Sequence, residues 1–305
     1  MILNTFRKTY LAATVVAYFV CSANVAIAAE DFTDPNHVFQ ETKNMLLELD
    51  AMHVVNKSKP SKLIVEAAPR KPRHVFQKAR EVYYDVQKLR QSKGLSVNTL
   101  GDLPVRDVTP KDVKGLLDKM LADIDEVRIK YGTKQPALAP LPTDKKPSDV
   151  YANLIKVKGS IAGLGIAAVA PSDVFRVSLS VVSDLKEMAA KKGVAAAAKP
   201  APSSGKKPKD VYAASYKLLN SLKKMSETNK ISIPGGVMIP PYVKREHTPA
   251  EVIDLMNDIL AEVAAIKHAS GLTTPTILAP VQSEKVPSNV FDQVATAQAI
   301  VSTMM

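Results

Sequence analysis

The residues of this chain that could do chemistry are few and widely spaced. Five histidines are present, and no two of them lie four residues apart as the ligands of a His-Glu-x-x-His zinc site do. His37 and His74 occupy the same place in a repeated motif, so parallel helices could bring them to one end of a bundle. Two imidazoles without carboxylate ligands make a poor metal site. The sequence therefore predicts no bound metal.

Motifs for nucleophilic catalysis and for cofactor binding are also missing. The chain has no Gly-x-Ser-x-Gly elbow, no phosphate-binding glycine loop and no dinucleotide fingerprint. Ser183 and Ser221 each precede a lysine by three residues, but both fall within predicted helices and lack the other motifs of the penicillin-binding enzymes. We therefore expect a protein that is not an enzyme and needs no cofactor.

The first 28 residues have the pattern of a secretory signal peptide. A basic start precedes a run without charge, and the segment ends in the small residues of Ala26-Ile27-Ala28. An uncleaved membrane anchor is the alternative, because the uncharged run is almost long enough to cross a bilayer. Cys21, the only cysteine, lies inside this segment, so the remaining chain has no disulfide and no thiolate zinc site. We expect a periplasmic or secreted protein.

The charge of the chain indicates which partners it could bind. It carries 41 Lys and Arg against 30 Asp and Glu, a net charge of +11. Outside the cytoplasm such a surface favours an acidic protein or an anionic envelope component over nucleic acid, and the basic runs lack interleaved aromatics for stacking bases. Solubility alone is the alternative. The predicted partner-binding residues are Arg70, Lys71, Arg73, Lys145, Lys146, Lys206 and Lys207.

A short phrase recurs along the chain and explains most of its charged motifs. KKPSDVY at 145–151 returns as KKPKDVY at 206–212, and the shorter pattern Pro-x-(Asp/His/Glu/Asn)-Val occurs eight times. Proline suits the first position of a helix, and an acidic or polar residue two places later suits its first turn. The motif therefore predicts helix starts, and these capping roles account for Asp112, Asp149, Asp173 and Asp210 without catalysis.

The spacing of the eight motifs predicts an all-α tandem duplication of a four-helix unit. One spacing in the middle is much shorter than the other six. A shift of 139 places lays residues 109–132 on residues 248–271 with many identities. We therefore expect a first four-helix unit at 29–168 and a second at 169–305.

Long proline-rich linkers separate the predicted helices. A helix of about twenty residues spans about 30 Å, and about fifteen extended residues reach about 45 Å. Each linker can therefore return along the bundle, so that consecutive helices lie parallel with the linkers as extended straps. Only the join before Pro171 is too short, and there we expect the fourth and fifth helices to form an antiparallel hairpin.

The preferred functional hypothesis is an exported helical protein that binds an acidic partner through its basic surface. The alternative is a protein that binds or senses an apolar small molecule in a cavity inside one or both bundles, where helical bundles often hold ligands. An aromatic residue follows the motif valine in six copies. These rings either fill the core or line that cavity: Phe39, Phe76, Tyr151, Phe175, Tyr212 and Phe291.

Overall fold

The computed structural model describes residues 33–167, 169–195 and 197–305 of the chain. The predicted signal peptide lies outside these residues. The described part contains eight helices: α1 (Pro35–Asn56), α2 (Pro72–Ser92), α3 (Pro110–Lys130), α4 (Pro147–Gly163), α5 (Pro171–Lys191), α6 (Pro208–Thr228), α7 (Pro249–Ala269) and α8 (Pro287–Thr303). Its only β pairing is an isolated bridge between Leu103 and Thr276. The all-α prediction with eight helices is confirmed.

Every helix begins at a motif proline, and the third residue of each helix bonds back to the residue before that proline. Asp149 accepts a hydrogen bond from the backbone N–H of Lys146 at 2.8 Å, and Asp210 accepts one from the N–H of Lys207 at 2.8 Å. Asp112 and Asp173 make the same bond. These four aspartates are helix caps, as their sequence context predicts.

The cap at the start of α3 should make the stability of the protein depend on pH in acid solution. The Arg106 guanidinium bonded to Asp112 lowers the pKa of that carboxyl from 3.8 to about 2. A carboxyl whose pKa falls on folding stabilises the protein above its unfolded pKa, and this contribution is lost as the pH falls through the folded pKa. Because the pair is partly exposed, we expect wild type to lose about 1 kcal/mol more than Asp112→Asn between about pH 4 and pH 2. Urea unfolding at each pH measures this difference; an equal loss in both proteins would contradict it.

The helices within each half start at the same end and therefore run parallel. Helices α1 and α2 each pack against α3 and α4, and α5 and α6 each pack against α7 and α8. The first turns of α1–α4 enclose one small space of about 10 Å³, lined by Pro35, Pro72, Pro110 and Pro147 and the motif valines. The first turns of α5–α8 enclose an equivalent space. Each linker must therefore carry the chain back along the bundle.

The linker at 57–71 shows how this return is made. Its Lys59 carbonyl lies against Gly163 at the end of α4, and its Ser61 N–H donates to the Gly159 carbonyl at 2.9 Å. The Arg70 guanidinium then lies 4.3 Å from the ring centre of Tyr151, near the start of α4. The linker thus runs antiparallel along the whole length of α4.

The two halves repeat these contacts. A cation two residues before a motif proline covers the motif aromatic of a neighbouring helix, as Arg70 covers Tyr151. The other pairs are Lys145 over Phe39, Lys206 over Phe291 and Lys285 over Phe175. Equivalent helices are paired in both halves, which agrees with a tandem duplication; the duplication itself remains a prediction from the sequence.

The predicted hairpin between the fourth and fifth helices is wrong. Among the described residues, α4 and α5 make no contact with each other. Each of these helices already buries its apolar face against two helices of its own half and one linker, so no apolar stripe remains for a hairpin. The halves are instead joined through α2 and α7, and residues Thr33–Met305 form one compact unit.

Candidate binding cleft between the two halves

Helices α2 and α7 form the main helix contact between the two halves within the described part of the chain, and Arg176 of α5 also covers the Tyr84 ring of α2 at 4.5 Å. Their facing surfaces are charged. On α2, His74, Lys78 and Glu81 follow one another at steps of four and three residues. On α7, Asp254, Asp258 and Glu262 follow at steps of four. Side chains at this spacing share one helix face, so the two stripes meet along the contact.

The pair between His74 and Glu262 is fully buried. His74 Nδ1 accepts a hydrogen bond from the backbone N–H of Lys71 at 2.9 Å. Its Nε2–H donates to Glu262 Oε1 at 2.8 Å. Burial acts to raise the pKa of Glu262, but the hydrogen bond from His74 and the charge of Arg73 outweigh burial and lower it. Glu262 is therefore a buried carboxylate.

A second group of ionised side chains surrounds Glu81. Lys78 Nζ donates to Glu81 at 3.1 Å and to Asp254 at 2.6 Å. Lys158, from α4, also contacts Glu81. Burial and the nearby Lys78 ammonium lower the pKa of Lys158 to about 7, and the charges of Asp254 and Asp173 oppose this shift. This group connects α2, α4 and α7.

The third buried pair joins the linker 57–71 to α7. Arg70 donates to Asp258 while its guanidinium covers Tyr151. Burial raises the pKa of Asp258, although Arg70 opposes the shift. The Tyr151 hydroxyl and Asp258 Oδ1 have no hydrogen-bond partner among the described residues. A cavity of about 30 Å³ borders both residues, enough for one water molecule that could satisfy them.

The carboxylate that α7 contributes to this contact has an equivalent in α3, but the α3 carboxylate does not reach across to the other half. Glu262 of α7 occupies the place of Asp123 in α3, and Asp123 binds Arg90 of α2 within its own half at 3.0 Å. In α6 the place of Arg90 is taken by Ser226. Among the described residues, Glu262 therefore pairs with no cation of its own half and binds Arg73 and His74 of the other half instead. The difference between the two halves at these equivalent positions thus leaves Glu262 available for the contact that joins them.

Beside this contact lies a cleft of about 320 Å³. Its walls come from the first turns of α2, the linker at 93–109, the linker at 229–248 and α7. Most lining side chains are apolar, including Phe76, Leu103, Ala261, Ala264 and Ala265. This volume falls at the lower end of the range of about 300–1,000 Å³ for small-molecule sites.

Three polar side chains of the cleft have no partner in the described residues, and they belong to Lys71, Gln77 and Asp107. Gln77 is 5% exposed, lines the cleft and makes no hydrogen bond. Lys71 also lines the cleft, and its ammonium makes no ion pair or hydrogen bond. The Gln77 amide is accessible to solvent, so a ligand in the cleft can reach its hydrogen-bonding groups.

The linker at 229–248 supports the lysine. Gly235 has φ +75°, a conformation that favours glycine, and a β-carbon there would lie 2.7 Å from Lys71 Nζ. Arg73 fixes the same linker by donating to the carbonyls of Pro234 and Gly236 at 3.1 and 2.6 Å. The absence of a side chain at Gly235 therefore leaves room for the Lys71 ammonium at the cleft.

The predicted partner-binding residues are divided among several environments. Arg70 and Arg73 form buried ion pairs with α7, and Lys145 and Lys206 lie over aromatic rings. Lys71 lines the cleft. Lys146 and Lys207 are exposed and make no ion pair with the described residues. The seven cations do not form one surface.

The six predicted cavity aromatics are not brought together either. Phe76 lines the cleft. Tyr212 stacks on His247 with ring centres 3.7 Å apart. Tyr151, Phe39, Phe175 and Phe291 lie under cations, and all six pack in or against the hydrophobic core. They act as parts of the core near the helix starts.

Two further findings concern only the described residues. No group of three or more His, Cys, Asp or Glu side chains there could hold a metal ion, and His37 binds Asp34 while His74 binds Glu262. None of the described helices is long and apolar enough to span a bilayer.

Gln77, Gly235 and the alanines of α7 were not recognised from the sequence. The signal that could have found them is the alignment of the halves. At the positions of Ala264 and Ala265, α3 has Asp125 and Glu126, which suit a solvated face. Two alanines at those positions of α7 indicate that this face lies against something else.

Comparison with protein-family models, with curated proteins and with solved structures finds no match for this chain, so its function must be inferred from its own residues.

Proposed function

We propose that this chain is a non-enzymatic binding protein that holds a small molecule in the cleft between its two halves. The observation that carries the proposal is Gln77, a residue only 5% exposed that lines a cleft of about 320 Å³ and whose side-chain amide has no partner among the described residues. Concave sites lined by apolar side chains with a few convergent polar groups are typical of ligand-binding proteins.

The proposed site differs from the one suggested by the sequence, which lay inside one or both bundles. Here the ligand binds at the surface, between the two halves. The spaces enclosed by the helix starts measure only about 10 Å³ in each half. Volumes of that size hold no organic ligand. The cleft is more than an order of magnitude larger and takes walls from both halves.

We also propose that the chain is exported, with residues 1–28 removed as a signal peptide, since a basic start, an uncharged run and small residues at the predicted cleavage site follow in order.

A second candidate function is the binding of an acidic protein. Lys146 and Lys207 favour it, because both are exposed and neither makes an ion pair with the described residues.

Native mass spectrometry of the protein purified from its own host tests the ligand proposal. We expect an adduct of a few hundred daltons that is lost on denaturation. Ala264→Phe should abolish the adduct, because residue 264 is half-buried and lines the cleft, so the larger ring takes up part of its volume. Ala213→Phe, on the exposed face of α6, is the matched control and should keep it. The same spectrum reports cleavage after Ala28.

A bare polypeptide in wild type, or an adduct that survives in Ala264→Phe, would contradict the ligand proposal. A protein adduct that is unaffected by Ala264→Phe and lost on charge reversal of Lys146 and Lys207 would favour the second candidate.

A further inference from the structure

We propose that the ligand is an organic monoanion, a carboxylate with a short apolar chain, whose carboxylate binds Lys71 and Gln77 and whose chain lies on the alanine face of α7. This inference rests on the proposed function, because it assumes that the cleft holds a small molecule. It adds the chemical class of that molecule and its orientation.

The first step concerns charge. Three cations line the cleft, and two of them already have carboxylate partners: Arg73 binds Glu262 at 3.1 Å and Arg106 binds Asp112 at 2.6 Å. Only Lys71 has no counter-ion among the described residues. Asp107 is the one carboxylate that lines the cleft, and it lies exposed on the linker at 93–109. Asp107 has no cation partner among the described residues either, but water screens its exposed carboxylate, so the Lys71 ammonium is the group left to bind one negative charge on the ligand.

The second step concerns hydrogen bonds. Gln77 lies on α2 six residues after Lys71, and both residues line the same cleft. Its side-chain amide supplies two N–H donors, and the start of α2 places the positive end of the helix dipole at the same wall. A carboxylate accepts bonds from an ammonium and an amide together, and charge-assisted bonds of this kind are the stronger ones.

The third step concerns the rest of the cleft. Beyond the polar wall, Phe76, Leu103, Ala261, Ala264 and Ala265 present only apolar side chains. Such a wall takes a hydrocarbon chain or a ring and offers no partner for a second polar group. A dianionic phosphate would need a second free cation, which the cleft does not offer among the described residues. The chemistry therefore fits a carboxylate with an apolar body.

Isothermal titration with octanoate and with octan-1-ol tests this inference, because the two probes share a chain and differ in charge. We expect wild type to bind octanoate at least about tenfold more tightly than octan-1-ol, the gain expected from one charge-assisted contact. Lys71→Met should remove this preference while keeping the apolar stem, and Lys71→Arg should retain it. Gln77→Met should weaken octanoate binding and leave octan-1-ol binding unchanged.

Lys146→Met is the matched control. Lys146 also precedes a motif proline and also lacks a counter-ion among the described residues, but it does not line the cleft, so the preference for octanoate should persist. Circular dichroism checks that each variant keeps its helices.

Three outcomes would overturn the inference. Equal binding of the two probes, or a preference that survives Lys71→Met, would show that the carboxylate does not bind Lys71. Failure of both probes to bind, while Ala264→Phe still removes a native adduct, would reject the organic-anion class and leave the ligand-binding function standing. Failure of both probes together with a bare native protein would reject both proposals.

Discussion

Glu262→Ala is expected to lower the free energy of unfolding by about 3–5 kcal/mol, because it removes one partner from a buried ion pair. The Glu262 carboxylate is fully buried and accepts hydrogen bonds from Arg73, His74 and the backbone N–H of Met238. Without it, the His74 Nε2–H and the Met238 N–H lose their acceptor, and the Arg73 guanidinium keeps the carbonyls of Pro234 and Gly236 but loses its counter-ion. Urea unfolding followed by circular dichroism measures the difference.

Two further variants make this result specific. Glu262→Gln keeps the shape of the side chain and one acceptor oxygen but removes the negative charge. It should therefore lower the free energy of unfolding by less than Glu262→Ala does. Glu126→Ala removes a carboxylate that binds Arg90 from a position 54% exposed, and it should cost less than about 1 kcal/mol. If Glu262→Ala unfolds at the same urea concentration as Glu126→Ala, the charged contact does not hold the halves together.

Gly159→Ala is expected to cost about 2–3 kcal/mol, because a β-carbon at this position would collide with the backbone carbonyl of Ser61. The linker at 57–71 lies directly on α4 here, and the Ser61 N–H donates to the Gly159 carbonyl at 2.9 Å. Since the obstacle is backbone, the linker must shift as a whole, and this hydrogen bond is lost with the shift. Gly163→Ala should behave similarly, since the Lys59 carbonyl approaches it equally closely.

Gly115→Ala is the matched control for the glycine prediction. Gly115 is an exposed helical residue of α3, and no neighbouring side chain or linker atom lies within 4 Å of the place that a β-carbon would occupy. Alanine there should stabilise the protein by about 0.5–1 kcal/mol, the usual difference between the two residues in a helix. Thermal or urea unfolding of both variants separates the two effects. A stabilised Gly159→Ala protein would show that the linker does not lie on α4.

The helix starts could be predicted from the sequence because their causes are local. Proline at the first position and a polar residue at the third, as in Pro147 and Asp149, involve atoms only three or four residues apart. The same local motif, repeated at similar spacing, predicted eight helices, and the long linkers predicted that neighbouring helices could run parallel.

The contact between the halves could not be predicted in this way. The stripe of Asp254, Asp258 and Glu262 has the spacing of a solvated helix face, and so does the stripe of His74 and Lys78. Each stripe becomes buried only because the other lies opposite it, a pairing between residues about 180 positions apart. For the same reason Arg70 and Arg73, predicted to bind a partner, are engaged within the chain.

By itself, the sequence determined the class of the fold, the position of each helix start and the capping role of the motif aspartates, because each depends on contacts within a few residues. The tertiary structure alone decided that α2 packs on α7, that the linker at 229–248 leaves Lys71 free at Gly235, and that Gln77 borders a cleft without a partner among the described residues. These features depend on surfaces from both halves meeting, and no local pattern of residues records which surfaces will meet.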